Sequence, residues 1–179
     1  VNGATLTTNR LGQTGSAYAF NGTSNYIQIP DHDVLSATTS GSLSISVWVR
    51  PDGTSLDGSN NLLFSAKEGG GYVHWMGKGT PSHHDGAMRI YSADNTDVPS
   101  RVNRMSGYLF GLAGGTGAGS YFQDTLTAGQ WVHCVMIIDT AAQTITWFKN
   151  GVQRDQDSFG PSSSFPVTPG NGTAPLRIG

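Results

Sequence analysis

The sequence predicts an all-β protein folded as a two-sheet antiparallel β-sandwich of the jelly-roll type. About a dozen short segments alternate apolar and polar residues with a period of two, as strands with one buried face do. Glycine contributes 25 of the 179 residues, and charged residues make up only 12%, which is typical of strands joined by turns. Because short antiparallel strands must each bury one face, two packed sheets are the expected architecture.

The clearest strands form a hairpin between residues 129 and 153. The apolar side chains of one face of the first strand are Val132, Cys134, Met136 and Ile138. A polar turn over residues 139–143 leads into a second alternating run, residues 144–149. That run ends at Asn150-Gly151, a pair favoured in type I′ turns. Both strands are too apolar to lie open to water, so the rest of the chain must cover them.

The remaining strands are expected in chain order, separated by turn-forming Gly, Pro and Asn residues. They cover residues 4–11, 17–20, 26–29, 43–49, 62–66, 71–79, 87–93, 107–115 and 176–178. Wide connections separate the three middle strands, and such loops commonly carry binding groups on a rigid sheet. Since the sequence shows no internal repeat and no linker, we expect a single domain over residues 1–179.

Charge and hydropathy exclude several classes of partner. The net charge of -2 and the pI near 6.2 give no electrostatic reason to expect a nucleic acid or an anionic membrane. No apolar run approaches the ~18 residues that a membrane span requires. The chain begins at Val1 without a leader, which is expected of a processed product or a fragment. Cys134, the sole cysteine, lies in an apolar strand and is expected to be a buried, inert thiol.

Four segments carry a resemblance to a known family. They read AYAFNGTSNYIQIPD, SLSISVWVRPD, GQWVHCVMIIDTAAQTITWFKNGV and GTAPLRIG. In this order they resemble the bacterial laminin-G-like domains of the concanavalin A-like lectin/glucanase superfamily. The resemblance implies a secreted, extracellular or cell-surface module with two curved sheets, joined to other domains of the same polypeptide. Such modules commonly hold calcium and bind glycans or proteins.

The resemblance also has consequences for particular positions. It implies that His133 is a structural histidine, hydrogen-bonded inside the sandwich. Family members continue beyond LRIG to a final strand that lies beside the first, and that strand is missing here. An unpaired sheet edge is therefore expected near residues 4–11 or 17–20.

A glycosidase needs a pair of carboxylates. The resemblance to glucanases of this superfamily implies that both would lie on one strand. The only glutamate, Glu68, lies in a glycine-rich turn. Asp155 and Asp157 alternate correctly, but they follow the Asn-Gly turn in a polar stretch and are expected in a solvated loop. A polysaccharide lyase would need a base and a proton donor near an arginine, which His74, Tyr91 and Arg89 could supply. No further lyase pattern accompanies them, so we expect a non-catalytic protein.

The middle strands hold the best candidates for contacts with sugar, which needs aromatic platforms beside polar groups. The candidate ligand-binding residues are His74, Trp75, Arg89, Tyr91 and Tyr108. The predicted core residues of the same strands are Val73, Met88, Ile90 and Leu109. With these in the core, most of the candidates form an open polar and aromatic face, unless they merely complete a solvated sheet. Trp75 falls on the core side by alternation, and a β-bulge would turn it outward.

The loop FNGTSNY is the candidate calcium site, since calcium takes six to eight oxygen ligands from bent loops. Asn21 and Asn25 would provide side-chain oxygens, and Gly22 and Thr23 backbone carbonyls. The alternative is an Asx turn that only holds the strand connection. A weaker second candidate consists of Asp52, Asp57 and Asn60.

These observations predict a non-catalytic carbohydrate-binding or adhesion module whose partner is a glycan or polysaccharide. The alternative is a structural or protein-interaction domain that docks neighbouring domains. A lyase or hydrolase is the third and least supported reading.

Overall fold

In the part of the chain that the structure describes, twelve β-strands account for nearly all of the secondary structure, which confirms the predicted all-β class. The computed structural model describes residues 1–37, 41–52, 71–80, 83–93, 95–110, 117–122, 124–164 and 166–179. In chain order β1 to β12 are Thr5–Thr7, Ala17–Ala19, Ile27–Ile29, Ser42–Val49, Tyr72–Thr80, His83–Tyr91, Met105–Phe110, Gly117–Tyr121, Val132–Asp139, Thr144–Lys149, Val152–Ser158 and Leu176–Ile178. The predicted strand at 62–66, together with Asp57 and Asn60, lies outside the described residues. Within the described ranges, no helix has the length and hydropathy to cross a membrane.

The smaller sheet is built around the predicted hairpin. Its four antiparallel strands lie in the order β11-β10-β9-β4. Side chains of β9 alternate strictly between buried and half-buried, and those of β4 between exposed and half-buried. The turn between β10 and β11 has positive φ at Asn150 (51°) and Gly151 (81°), as a type I′ turn requires. The period-two pattern thus predicted the β9–β10 hairpin correctly, and Asn150-Gly151 predicted the turn that follows it.

The larger sheet has six strands in the order β3-β12-β5-β6-β7-β8. Strands β5, β6, β7 and β8 are consecutive antiparallel neighbours, while the C-terminal strand β12 lies between β3 and β5. Strands β1 and β2 pair with each other in a separate two-stranded sheet.

The core lies between the two sheets. Its buried members from the larger sheet are Met76, Met88, Ile90, Met105 and Leu109. Those from the smaller sheet are Val132, Cys134, Met136, Ile138, Ile145 and Trp147. The sheets approach so closely at Gly107 that a Cβ there would overlap the side chains of Met136 and Trp147. Cys134 is buried as predicted, and this burial raises the pKa of its thiol to about 12.

Two predicted segments and one predicted side chain differ from the structure. Strand β6 begins at His83, four residues before the predicted start, because the segment before Ala87 pairs with β5. Asp155 and Asp157, predicted to lie in a solvated loop, lie on strand β11 along the edge of the smaller sheet. His133 does not lie inside the sandwich, because its neighbours Val132 and Cys134 take the core positions. Its ring faces outward, where it stacks on Trp48 at 4.9 Å between ring centroids and hydrogen-bonds with Ser46 Oγ at 2.9 Å.

Candidate functional site

Strands β5 to β8 bring tyrosine and arginine side chains together on the face of the larger sheet that points away from the core. We call this group the tyrosine–arginine cluster, and its members are Tyr72, Arg89, Tyr91, Arg101, Tyr108 and Tyr121. On β6, Arg89 and Tyr91 alternate with the buried core residues Met88 and Ile90. Tyr72 on β5 pairs directly with Tyr91, with 5.1 Å between the ring centroids. The cluster is therefore held by backbone pairing of adjacent strands, which gives it a rigid base.

A β-bulge determines which residues of β5 reach this face. The register of β5 against β6 shifts between His74 and Met76, so that Trp75 is the extra residue. Strict alternation would put Met76 and His74 on the same side, and that prediction is wrong because of the bulge. After the shift, Val73 and Met76 both lie in the core, while Tyr72 and His74 lie on the opposite face.

Arg89 is the centre of the cluster. Its guanidinium carbon lies 3.8 Å from the centroid of the Tyr72 ring and 4.0 Å from that of the Tyr108 ring. The Nε group of Arg89 donates a hydrogen bond to Ser106 Oγ at 2.9 Å. A guanidinium held against the faces of two tyrosines is stabilised by cation–π attraction, which strengthens as water is excluded. Burial lowers the pKa of Arg89. Burial raises the pKa of Tyr72; the positive charge of Arg89 opposes this shift, while the neighbouring tyrosines and Asp97 add to it.

The rim of the cluster is formed by Tyr121 and two arginines from the segment before β7. Tyr121 packs edge-on against Tyr91, with 5.9 Å between centroids. Arg101 donates a hydrogen bond to Tyr91 Oη at 3.2 Å and lies 4.5 Å from the Tyr121 centroid. Arg104 lies 6.0 Å from the same ring. This rim adds positive charge beside an aromatic surface.

The predicted site residues are brought together only in part. His74, Arg89, Tyr91 and Tyr108 lie on one face, and the backbone register pairs His74 with Arg89. The predicted open character of that face is wrong for three of them, since His74, Arg89 and Tyr91 are only 2%, 5% and 3% exposed. Aromatic neighbours bury them because adjacent strands place large side chains side by side. Their assignment as ligand-binding residues stays a prediction.

Trp75 lies apart from the cluster. It packs against the hydrophobic core, and its indole N–H points at the Met105 sulfur at 3.1 Å. The bulge at this position therefore does not turn the ring to the outer face. Nothing in the described geometry brings Trp75 to the other predicted ligand-binding residues.

Sequence reasoning missed four members or supports of the site, namely Tyr72, Arg101, Ser106 and Tyr121. Tyr72 shares the outward phase of His74, and a count of tyrosines on that phase would have included it. Ser106 pairs with Arg89 across β6 and β7, and Tyr121 pairs with Ser106 across β7 and β8. These two pairings depend on strand register, which the sequence does not display. Arg101 lies in a connecting segment whose path is set by tertiary contacts.

The predicted calcium loop is folded as an Asx turn. Asn21 Oδ1 accepts hydrogen bonds from the backbone N–H groups of Thr23, Ser24 and Asn25 at 2.9 to 3.0 Å. Asn25 Oδ1 in turn accepts from the N–H of Asn21 at 3.1 Å. Calcium ligation by these side-chain oxygens would have to replace those bonds. The described residues contain no cluster of three or more His, Cys, Asp or Glu side chains suited to a metal. Calcium at this loop remains a prediction.

The carboxylates of β11 form a second polar group, at the edge between the two sheets. Asp155 Oδ2 accepts a hydrogen bond from the backbone N–H of Tyr121 on β8 at 3.1 Å. Burial first, and then repulsion from and hydrogen bonding with Asp155, raise the pKa of Asp157. Asp155 thus caps an edge strand, since it satisfies a backbone donor that has no ladder partner there.

A small, partly open pocket lies between the sheets. It has a volume of about 30 Å³ and is lined by apolar core residues together with Lys78 and Asp85. A volume of this size holds one or two water molecules. The outer face with the tyrosine–arginine cluster is therefore the better candidate for a ligand.

A comparison with protein families agrees with this architecture. A family model described as the concanavalin A-like lectin/glucanases superfamily (Laminin_G_3) matches residues 21–179. Among solved structures, the chain is similar to a candidate carbohydrate-binding protein from Bacteroides ovatus ATCC 8483, with 16% sequence identity and a TM-score of 0.49. That match covers 78% of this chain and 31% of the other. No curated protein matches the sequence.

Proposed function

The chain belongs to the concanavalin A-like lectin/glucanases superfamily, and we propose that it is a non-catalytic carbohydrate-binding module. The observation that carries this proposal is the tyrosine–arginine cluster on the outer face of the larger sheet. A sugar ring has an apolar face and a rim of hydroxyl groups, so it binds to aromatic surfaces flanked by hydrogen-bond donors. Tyr72, Tyr108 and Tyr121 are half-buried, which leaves part of each ring available for such contact.

The rigidity of the cluster supports a binding role. Each tyrosine is held by strand pairing and by contact with an arginine, so little side-chain entropy is lost when a ligand binds. A secreted or cell-surface location and attachment to further domains are part of the proposal through the family resemblance alone.

The proposal of a non-catalytic role rests on the contacts of Asp155, Asp157 and Arg89 within the protein. Asp155 accepts a backbone hydrogen bond, and Asp157 is coupled to it, so neither is positioned as an independent acid beside the cluster. Arg89 is held by Ser106 and by two tyrosine rings. These contacts favour recognition over bond cleavage.

A glycan array tests the proposal. We expect the purified protein to bind a restricted set of glycans, and we expect the variant Tyr72→Ala/Tyr108→Ala to lose about tenfold or more in affinity, since each aromatic contact contributes on the order of 1 kcal/mol. The matched control is Tyr18→Ala on strand β2, a tyrosine that is 45% exposed and outside the cluster. Thermal unfolding of each variant checks that it is folded.

Three outcomes would contradict the proposal. The wild type could bind no glycan, the double variant could bind as well as the wild type, or Tyr18→Ala could cause the same loss. Release of reducing ends or unsaturated sugars from a bound polysaccharide would overturn the non-catalytic part.

A second function, protein interaction, is favoured by the hairpin of β1 and β2. Its strands and their connection expose Leu6 by 62%, Leu11 by 63% and Tyr18 by 45%. Exposed apolar groups of this kind are common at protein contacts. If Tyr18→Ala abolished association with a neighbouring domain and the array showed no glycan binding, this second function would replace the first.

A further inference from the structure

The tyrosine–arginine cluster contains a buried cation with no acidic counterpart among the described residues. Arg89 is 5% exposed, and no described aspartate lies within ion-pair distance of its guanidinium. Its contacts among the described residues are Ser106 Oγ, the rings of Tyr72, Tyr91 and Tyr108, and a side-chain hydrogen bond with Tyr91, and none of these groups carries a formal charge at neutral pH. A buried charge is ordinarily paired with an opposite charge. Among the described residues no opposite charge compensates Arg89, so an anionic group is a chemically suitable partner for it.

The neighbouring charges increase this imbalance. Arg101 and Arg104 lie 4.5 and 6.0 Å from the ring of Tyr121, on the rim of the same cluster. Arg104 Nε is buried and makes no hydrogen bond within the described part of the chain. Asp97 is the nearby carboxylate, but it lies 3.6 Å from Arg101 Nε and so balances that arginine. Asp157 is likewise influenced by Arg101. Arg89 and Arg104 remain without a described acidic partner.

From this imbalance we propose that the ligand of the cluster is an anionic glycan, whose carboxylate or sulfate group pairs with Arg89. This inference rests on the proposed carbohydrate-binding function and specifies its substrate class. The flat faces of the Arg89 guanidinium are covered by Tyr72 and Tyr108, and its Nε is used by Ser106. Its terminal N–H groups are what an acidic group would contact, while the tyrosine rings hold the adjoining sugar.

The chemistry of guanidinium explains the expected selectivity. Arginine presents two parallel donors that match the two oxygens of a carboxylate or sulfate. A charged hydrogen bond is also stronger in a site from which water is excluded. A neutral glycan of the same shape would leave the Arg89 charge uncompensated, so it is expected to bind more weakly.

The test compares polymers that differ only in charge. Isothermal titration would measure binding of polygalacturonate oligomers against their methyl esters, and of chondroitin sulfate oligomers against desulfated chondroitin. We expect one acidic form to bind about tenfold or more tightly than its neutralised counterpart, as removal of one charged hydrogen bond predicts. The first pair reports on carboxylate and the second on sulfate. Affinity for the acidic form is expected to fall as salt rises from about 0.05 to about 0.5 M.

Two Arg89 variants give a second line of evidence. Arg89→Gln is expected to bind the acidic and neutral forms equally, and Arg89→Lys to retain part of the difference because it keeps the charge and loses the fork. The control is Arg10→Gln, since Arg10 makes the same kind of contact 4.2 Å above Trp48, outside the cluster. If Arg89→Gln fails to fold, the comparison of acidic and neutral polymers on the wild type decides the question without a variant.

The outcomes separate this inference from the proposed function. Equal binding of charged and neutral forms, or binding of neutral glycans only, would overturn the anionic ligand and leave carbohydrate binding intact. Absence of binding to every glycan on the array and in the titrations would overturn both. Selective binding that Arg89→Gln does not alter would also overturn the role assigned to Arg89.

Discussion

Two buried cations on neighbouring strands of the larger sheet are stabilised in different ways. Lys78, near the end of β5, lies 2.8 Å from Asp31 Oδ1 and 2.9 Å from Asp85 Oδ2, with its side chain only 3% exposed. It also donates a hydrogen bond to the Gly172 carbonyl. Arg89 on β6 is as deeply buried, but its described partners are two tyrosine rings and a serine hydroxyl.

The difference separates a cation that two carboxylates stabilise from one that has no carboxylate partner among the described residues. Burial alone would lower the pKa of Lys78, but hydrogen bonds and charge attraction from Asp31 and Asp85 outweigh it, and the pKa is raised. Asp85 is further fixed by Ser36 Oγ and by the backbone N–H of Gly172. This ion cluster joins β5 and β6 to the segments around residues 31–36 and 172. It holds these segments together, whereas Arg89 has no carboxylate partner among the described residues.

The largest expected effect is the loss of unfolding free energy when each cation is removed in turn, and it should differ between Lys78 and Arg89. Lys78→Met would leave Asp31 and Asp85 without their counterion and is expected to cost about 3–5 kcal/mol of unfolding free energy. Arg89→Met would leave no described carboxylate unpaired and is expected to cost about 1–2 kcal/mol, the contribution of its cation–π contacts. Urea unfolding of both variants at pH 7 provides the measurement.

A further substitution checks the reason for that difference. Adding Asp85→Asn to Lys78→Met removes one of the unpaired charges and is expected to restore part of the lost stability. Equal costs for Lys78→Met and Arg89→Met would show that the two cations are compensated alike, and the comparison would then fail.

An intermediate effect is expected when the contact of Tyr108 with Arg89 is disturbed from β8, the strand next to Tyr108. A Cβ at Gly119 would come 2.5 Å from Tyr108 Cδ2, so Gly119→Ala must displace the Tyr108 ring. Stability is expected to fall by about 1–3 kcal/mol, and glycan affinity should fall several-fold because Tyr108 leaves Arg89. Calorimetric unfolding and glycan titration of the same sample report the two effects.

The control for this change is Gly86→Ala on β6. A Cβ at Gly86 would meet its nearest atoms at 3.5 and 3.8 Å, which is ordinary contact, so glycan affinity should not change. Unaltered affinity of Gly119→Ala would indicate that Tyr108 is not part of the binding surface.

The smallest expected effect concerns Asp155 and Asp157 on β11, the edge strand of the smaller sheet that lies beside β8. Because the folded-state pKa of Asp157 is raised, the folded protein binds that proton more tightly than the unfolded chain does. The carboxyl therefore destabilises the fold as pH rises from about 4 through the folded-state pKa, and the full penalty is present at pH 7. Asp157→Asn is expected to stabilise the protein at pH 7 by less than about 1 kcal/mol, since solvent still reaches the partly shielded carboxyl and screens its charge, and to have no effect near pH 3.

Unfolding midpoints at the two pH values test this sign. Asp52→Asn provides a control, because Asp52 is 68% exposed and contacts only the surface residue Arg50 in the described ion pairs. A loss of stability at pH 7 in Asp157→Asn would mean that Asp157 makes a favourable contact that outweighs its repulsion from Asp155.

Much of the scaffold could be predicted from local pattern. The alternation of Val132 through Ile138 predicted the β9–β10 hairpin with its inward face, and Asn150-Gly151 predicted the turn after β10; both are confirmed. Val73, Met88, Ile90 and Leu109 were also placed correctly in the core. Alternation predicts such features because a strand exposes successive side chains to opposite environments over only a few residues.

The candidate site was predicted less completely. Alternation placed Arg89, Tyr91 and Tyr108 on one face, but it predicted that face as open and Asp155 and Asp157 as loop residues. Burial of Arg89 comes from side chains on two other strands, and the position of β11 comes from pairing with β10. Such neighbours are far apart in sequence, so no local pattern records them.

The amino-acid sequence by itself therefore determined the layered all-strand scaffold, the central hairpin and the identity of the inward residues, because these follow from short-range periodicity and turn chemistry. Tertiary structure alone decided the shift at Trp75, the outward position of His133 and the compensation of each buried cation. The physical reason is that strand register and the surroundings of a charge depend on which distant segments become neighbours. Lys78 meets two carboxylates and Arg89 two aromatic rings only after the sheet has formed.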